Sequence, residues 1–195
     1  MQDFLVKAKS KLNKSIPKDF THKANVAHAD KRSYRQAAVL IAITDKPKPS
    51  IILTRRPLHM KTHAGEVAFP GGKLESFDVD AKHAALREAD EEIGLKQQYV
   101  DVLGYLDTYK VGSGFNVCPV VAVVSKGYNL TADPNEVDEI FEVPLDFLMD
   151  VNNFQRHSKM WQGKQRHYYV IEYKNYFIWG ATADMLKNLH DKLYI

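Results

Sequence analysis

The 195 residues suit one domain, or one domain with an appendage, and 45% hydrophobic against 26% charged residues is the balance of a globular chain able to bury a core. No low-complexity run and no apolar stretch near the roughly 18 residues of a membrane span is present, which argues against a disordered, fibrous or helical-membrane protein. The net charge of +3 is unevenly placed: residues 1–35 hold nine Lys/Arg against three Asp/Glu, a net +6 that leaves −3 for residues 36–195.

Residues 1–35 therefore read as a basic N-terminal extension, solvated and partly helical, ahead of a single domain over 36–195. No recognition motif or interleaved aromatics accompany the basic residues, so nucleic acid is not an expected partner. "MQDFLVKAKSKLNKS" lacks the apolar core of a secretion signal. The single Cys118 has no internal disulfide partner and lies in "VCPVVAVV", where it reads as a small buried core residue. Both features point to a reducing, cytoplasmic setting.

Next, "AAVLIAITD" (37–45) and "SIILTRR" (50–56) are β-branched runs flanking "KPKP", and predict two strands joined by a short turn. "GEVAFPGG" (65–72) predicts a short strand running into a Pro-Gly-Gly break. A helix is predicted from about 80 to 93, with Asp78 or Asp80 as its N-cap and Ala84, Ala85, Leu86, Ala89 and Ile93 as its apolar positions. "QYVDVLGYLDTY" and "NVCPVVAVVS" predict strands, followed by an acidic loop, "TADPNEVDE" (131–139). Strands at "HYYVIEY" and "FIWG" and a final helix, "ATADMLKNLHDKLY", complete the chain. Strands and helices mix without the alternation of a doubly wound sheet. An α/β (α+β) fold with a mixed sheet and helices on its faces is expected.

The helix ends in "READEEIGL" (87–95), with Gly94 as the expected left-handed residue past its C-terminus. Carboxylates are disfavoured at that end by roughly 0.3–1 kcal/mol each, and like charges three or four residues apart add about 0.2–0.5 kcal/mol per pair. Glu88, Glu91 and Glu92 project from one side of the helix. Converging there, they make an all-oxygen site for a hard divalent cation such as Mg²⁺, whose charge reverses those penalties.

Gly71-Gly72, Asp78, Arg87-Glu88, Glu91-Glu92 and Gly94 resemble the Nudix box, G-x5-E-x7-R-E-U-x-E-E-x-G-U, where U is apolar. Gly72 is its first position and Arg87 to Leu95 match in full. Asp78 stands where the family has Glu, and eight residues instead of seven separate it from Arg87. "ILTRRPLHMKTHAGEVAFPGG" (52–72) is similar to the L-L-T-x-R-(S/A)-x3-R-x3-G-x3-F-P-G-G motif of the coenzyme A pyrophosphatase branch. Leu53, Thr54, Arg56, Gly65 and Phe69 to Gly72 match, Pro57 replaces the small residue, and Lys61 replaces the second Arg. "NEVDEIFEVPLDFLMD" (135–150) and "FIWGATADML" (177–186) also resemble this branch, so the likeness runs from about Ala37 to Tyr194.

The resemblance implies a Nudix-type α/β/α sandwich and hydrolysis of the diphosphate bond of coenzyme A or a derivative, with Mg²⁺ or Mn²⁺ as cofactor. Glu88 and Glu92, one turn apart, are the expected metal ligands. Glu91 points aside, to a further metal arriving with substrate or to deprotonation of water, and Arg87 is expected to orient a glutamate. Glu136 and Glu139, in the acidic loop, are the other candidates for the general base. Arg55, Arg56, Lys61 and His63 gather cations ahead of the Gly71-Gly72 turn, where substrate phosphates are expected. Strand alternation turns Arg55 and Arg56 to opposite faces, and Arg56 holds the motif position. The alternative is a Nudix hydrolase of another nucleoside diphosphate derivative, such as ADP-ribose, or of a nucleoside triphosphate. Oligomeric state is not legible.

Overall fold

The computed structural model describes residues 1–20, 34–161 and 163–195, so residues 21–33 of the basic extension lie outside the described part. In chain order the elements are α1 (Gln2–Lys11), β1 (Arg35–Thr44), β2 (Ser50–Arg55), β3 (Val67–Ala68), β4 (Gly71–Lys73) and α2 (Ala81–Ile93). There follow β5 (Val100–Tyr105), β6 (Tyr109–Val111), β7 (Phe115–Val124), β8 (Glu139–Pro144) and α3 (Leu145–Leu148). The chain ends with β9 (Gln155–Trp161), β10 (Lys164–Tyr173), β11 (Tyr176–Trp179) and α4 (Gly180–Tyr194).

The near-continuous apolar runs of β1 and β7 mark strands covered on both faces, and these two pair in parallel along their whole length. Every other pairing is antiparallel, which makes the central sheet mixed, as expected. Ala38, Leu40 and Ala42 of β1 face α2 together with Cys118, Val120 and Ala122 of β7. Ile41, Ile43 and Val121 face the other way, onto Leu186, Leu189 and Leu193 of α4. The period-2 alternation of each strand thus feeds two cores, one per face. Cys118 is fully buried, and burial pushes its thiol up to about 12. Among the described residues no helix is long and apolar enough to cross a membrane.

β1 and β2 splay apart. They pair at Ile43 and Ile51, but further along β2 pairs with β3 at Thr54 and Arg55, while β1 pairs with β4 at Ala37 to Val39. The opened gap holds Phe69-Pro70-Gly71-Gly72, anchored where the Leu40 N–H donates to the Pro70 carbonyl at 2.8 Å. The expected short strand is Val67–Ala68, and the Pro-Gly-Gly segment expected as a break passes at Gly71 into a second short strand, Gly71–Lys73.

Two expectations need correction. The first part of the N-terminal extension is helical but not solvated: Phe4, Ala8 and Leu12 are buried in the core, and Asn13 exchanges backbone hydrogen bonds with Tyr105 at 3.0 and 2.9 Å. The i, i+4, i+8 spacing of those three residues is an apolar stripe, flanked by Lys7, Lys9 and Lys11. Strand β9 went unpredicted because "QRHSKMW" carries little apolar alternation. It forms because it pairs with β10 in a hairpin, giving with β11 a second, three-stranded antiparallel sheet.

Candidate active site

Helix α2 is capped at both ends by the residues its sequence offers. Asp80, one of the two predicted N-caps, accepts from the His83 N–H at 2.8 Å, and Gly94 closes the helix in the left-handed region at φ 68°. Its buried face is mostly alanine (Ala81, Ala84, Ala85 and Ala89), so the helix axis lies close to the sheet. That closeness brings Glu88 and Glu92 against the Gly71-Gly72 turn. Glu92, 5% exposed, accepts from the Gly71 N–H at 3.0 Å.

The two glycines serve different purposes. A Cβ on Gly71, at φ 153°, would lie 2.4 Å from the Ala38 carbonyl oxygen, so the turn can only approach β1 without a side chain. A Cβ on Gly72 would lie 2.5 Å from the Glu88 carboxyl carbon, so Gly72 leaves the space that this carboxylate fills.

The third acid comes from the loop after α2. The N–H groups of Thr131 and Asp133 donate to the carbonyls of Ile93 and Glu92, each at 2.9 Å, and buried Val137 anchors the far side. Glu136 is thereby held so that its carboxylate, with those of Glu88 and Glu92, forms a group whose oxygens lie within 4.8 Å of one another. Burial, then the charges of Glu88 and Glu136, push Glu92 up to about 8 against the opposing Gly71 N–H. Burial also raises Glu88, opposed by Arg87 and reinforced by Glu91 and Glu136. Such mutual repulsion among half-buried oxygens fits a divalent cation that takes hard ligands.

Arg87 ties this arrangement to the box. It donates to Asp78 at 2.9 Å, reaches Glu88 at 2.9 Å and Glu91 at 2.7 Å, and bonds the Lys73 carbonyl at 3.2 Å. Asp78 is fully buried and also accepts from the Glu75 N–H at 2.8 Å. Burial acts to raise Asp78, but Arg87, the Glu75 N–H and His83 outweigh it and hold the carboxyl below its usual range.

Not every expected residue joins the cluster. Arg55 and Glu139 are register partners on β2 and β8 and pair with each other at 3.0 Å. Arg55 is further held by Asp138, and Glu139 accepts from Tyr176 Oη at 2.7 Å. Opposite charges directly across a strand pair satisfy one another, so in this arrangement Arg55 and Glu139 face each other and neither joins the carboxylate cluster. Glu91 is largely exposed and committed to Arg87. The Glu136 N–H donates to the Asp133 carbonyl at 3.0 Å, but its carboxylate has no hydrogen-bond or ion-pair partner among the described residues.

A cleft of about 580 Å³ adjoins the cluster, with Gly71 in its wall. Arg56 and His63 line it beside Glu66, and His63 Nδ1 lies 2.7 Å from the Glu66 carboxylate. The Arg56 Nε is buried without a partner among the described residues, and the Arg56 charge acts on Glu92. Lys61 is exposed and outside the cleft lining. Sequence reasoning missed the opposite wall, where Tyr109, Lys110, Phe115, Arg166 and Trp179 sit. The only hint was an aromatic and basic content higher than a solvated hairpin needs.

A family model described as the NUDIX domain matches residues 34–166. A protein of Salmonella paratyphi B, described as the uncharacterized Nudix hydrolase NudL, is 39% identical over 155 residues, covering 80% of this chain and 81% of that protein. Among solved structures, a Deinococcus radiodurans protein superposes with a TM-score of 0.53 at 12% identity, covering 86% of this chain and 90% of that one. A MutT/nudix family protein from Enterococcus faecalis gives 0.52 at 13% identity, covering 84% and 63%. These two likenesses concern the fold alone.

Proposed function

The chain belongs to the Nudix family of hydrolases that cleave pyrophosphate-containing substrates, and from that premise we propose that it hydrolyses the diphosphate bond of coenzyme A or a derivative. One observation carries the catalytic half of this reading: the oxygens of Glu88, Glu92 and Glu136 converge within 4.8 Å beside a nucleotide-sized cleft. The substrate half rests on the residues 52–72 that resemble the coenzyme A branch, and on Arg56, which lines that cleft and whose Nε is buried without a partner among the described residues.

In this reading Glu88 and Glu92 hold Mg²⁺ or Mn²⁺, with Glu136 near enough to add an oxygen. Bound there, such a cation supplies charge neutralisation of the diphosphate and a lowered pKa of bound water. The chain's own residues do the remainder. Arg87 holds Glu88 in place from one side, and the gap at Gly72 admits it from the other. Arg56 meets a diphosphate oxygen with a charge-assisted hydrogen bond. Glu136, the candidate base whose carboxylate is neither paired nor hydrogen-bonded among the described residues, takes the proton as water oxygen bonds to phosphorus. The bridging P–O bond breaks and the second phosphate leaves with its electron pair. Products are adenosine 3′,5′-bisphosphate and 4′-phosphopantetheine, or its acyl form.

The test is incubation with Mg²⁺ or Mn²⁺ and coenzyme A, ADP-ribose or dGTP in parallel, with products identified by chromatography. Release of adenosine 3′,5′-bisphosphate from coenzyme A at the highest kcat/KM of the three supports the reading. Preference for ADP-ribose or dGTP transfers the same chemistry to another nucleotide substrate.

A further inference from the structure

The cleft has a second charged end that the hydrolytic reading does not use. β6 and β7 meet at the turn "VGSGF" (111–115), and cations gather around it. The Arg166 guanidinium crosses from β10 to the turn, its Nη1 only 3.7 Å from where a Cβ of Gly112 would be. Lys110 lies over the Tyr34 ring at 5.3 Å, and Arg35 stacks on Phe115 at 4.0 Å while reaching the Ser113 carbonyl. Lys110, Ser113 and Arg166 all line the cleft. Neither Lys110 nor Arg166 has a carboxylate partner among the described residues. The hairpin that supplies Arg166 has no Asp or Glu anywhere between Asp150 and Glu172, although residues 36–195 as a whole are acidic.

This end is distinct from the one at the carboxylates. Across the sheet β4, β1, β7 and β6 are successive neighbours, so Gly71 and Lys110 stand three strand spacings apart, roughly 14 Å, and their register partners Pro119 and Asn116 on β7 are a further three residues apart along the strand, for a backbone separation of roughly 17 Å. The long Lys and Arg side chains shorten that separation at their tips. The floor between is apolar and aromatic, with Val39, Phe69, Phe115 and Val117, and Trp179 is 40% exposed at the rim. A ligand that fits has two anionic groups, one reached by the carboxylate end and one by the long Lys110 and Arg166 side chains, and a flat base that can lie on this floor.

We propose that Lys110, Ser113 and Arg166 form a phosphomonoester subsite, which takes the second phosphate of a nucleotide whose diphosphate lies at the carboxylate cluster. The inference rests on the coenzyme A reading, where that group is the 3′-phosphate. Of the cations expected to meet substrate phosphates, this leaves Arg56 to the diphosphate end, while Lys61 is not among the residues that line the cleft.

Adenosine 3′,5′-bisphosphate and AMP separate this idea from the hydrolytic one, because neither contains an anhydride bond. Affinities of both for the full chain are measured by calorimetry, in wild type and in Arg166→Ala, Arg166→Lys and Lys110→Ala. Wild type should bind the bisphosphate roughly 10- to 100-fold tighter than AMP, as one or two charge-assisted bonds imply. That ratio should fall towards one in Arg166→Ala, fall less in Lys110→Ala, and recover in part in Arg166→Lys, which keeps the charge but loses the fork. The exposed positions of both cations make folding defects easy to exclude by thermal denaturation. A wild-type ratio near one, or a ratio that no variant changes, overturns the subsite even if coenzyme A is hydrolysed. A ratio that collapses as stated upholds it even if the preferred anhydride is another.

Discussion

The Arg87 guanidinium donates to both carboxylate oxygens of the fully buried Asp78, Nε at 3.1 Å and Nη2 at 2.9 Å. This pair explains how the box tolerates Asp for Glu and one extra residue. The shorter acid meets Arg87 from a tight turn in which the Glu75 N–H donates to the Asp78 carboxylate at 2.8 Å and the Asp78 N–H to the Glu75 carbonyl at 3.1 Å. Removing one partner of a buried pair leaves the other charge uncompensated, at a cost of about 3–5 kcal/mol. Asp78→Ala should therefore lower the unfolding free energy read from a urea titration by that margin with Glu88 and Glu92 intact. A loss below 1 kcal/mol would mean the pair is solvated in solution. The folded-state pKa of Asp78 is depressed, so its stabilisation is present above the ordinary carboxylate value and is lost as pH falls through the folded one. Below about pH 4, wild type should lose stability faster than Asp78→Asn.

Glu88→Gln, Glu92→Gln and Glu136→Gln should each lower kcat at least about 100-fold at saturating Mg²⁺, since each removes one charge from the oxygen cluster. Without metal, Glu92→Gln should be more stable than wild type. The folded pKa of Glu92 is raised to about 8 from an ordinary 4.5, so the penalty for its ionised form appears as pH rises through that window. Each kcal/mol relieved lifts Tm by about 2–4 °C for a chain this size. A scan at pH 8.5 with EDTA reads this, and added Mg²⁺ should narrow the gap by stabilising wild type alone.

Adjacent glycines should give opposite phenotypes. In Gly72→Ala the new methyl meets only the end of the Glu88 side chain, 2.5 Å away, so Glu88 moves, stability changes by less than about 1 kcal/mol and kcat falls. In Gly71→Ala the methyl meets backbone at 2.4 and 2.6 Å from a left-handed φ, so the protein itself should be destabilised. Equal Tm losses in both would contradict the separate roles given to the two positions.

A chain beginning at Arg35 should keep every residue of the cluster but lose stability, because it uncovers the surface that Phe4 and Leu12 bury at 3% exposure each. Burying such side chains contributes about 1.5–3 kcal/mol apiece. Phe4→Ala in the full chain is the gentler test, and an unchanged urea midpoint would mean α1 detaches in solution.

Much of this was legible locally. Arg87 to Leu95 encodes both helix and acidic face, because period, alanine spacing and Gly94 agree. Arg55 and Arg56 have different surroundings, the first paired with Asp138 and Glu139 and the second in the cleft lining, although β2 ends at Arg55. What escaped was long-range. Glu136 and Glu139 look equivalent in the acidic loop, and only the β2–β8 register, pairing Glu139 with Arg55, separates them. Likewise α1 carries an apolar stripe that lysines disguise, and its docking depends on α4 and β5, far away in sequence. The Arg166 corner needed the turn at Gly112 and the β9–β10 hairpin to meet, which no local pattern announces.

The two neighbouring arginines provide the sharpest separation between holding the fold and holding substrate. Arg55 pairs with Asp138 and Glu139 at 2.9 and 3.0 Å near the surface, where such bridges contribute about 0–1 kcal/mol. Arg55→Ala should thus shift the urea midpoint slightly and leave kcat/KM within about threefold of wild type. Arg56 faces the cleft, its Nε buried and unpartnered, so Arg56→Ala removes a charge-assisted bond of about 1.5–3 kcal/mol, or roughly 10- to 100-fold in kcat/KM. Because Arg56 sits at the diphosphate end, that loss should be equal for coenzyme A and dephospho-coenzyme A, whereas a loss confined to coenzyme A would return the 3′-phosphate to Arg56. Lys61→Ala, outside the cleft lining, should change neither substrate. The measurement is kcat/KM for both substrates across the three variants, with near-identical losses in Arg55→Ala and Arg56→Ala as the result that would undo the assignment of faces.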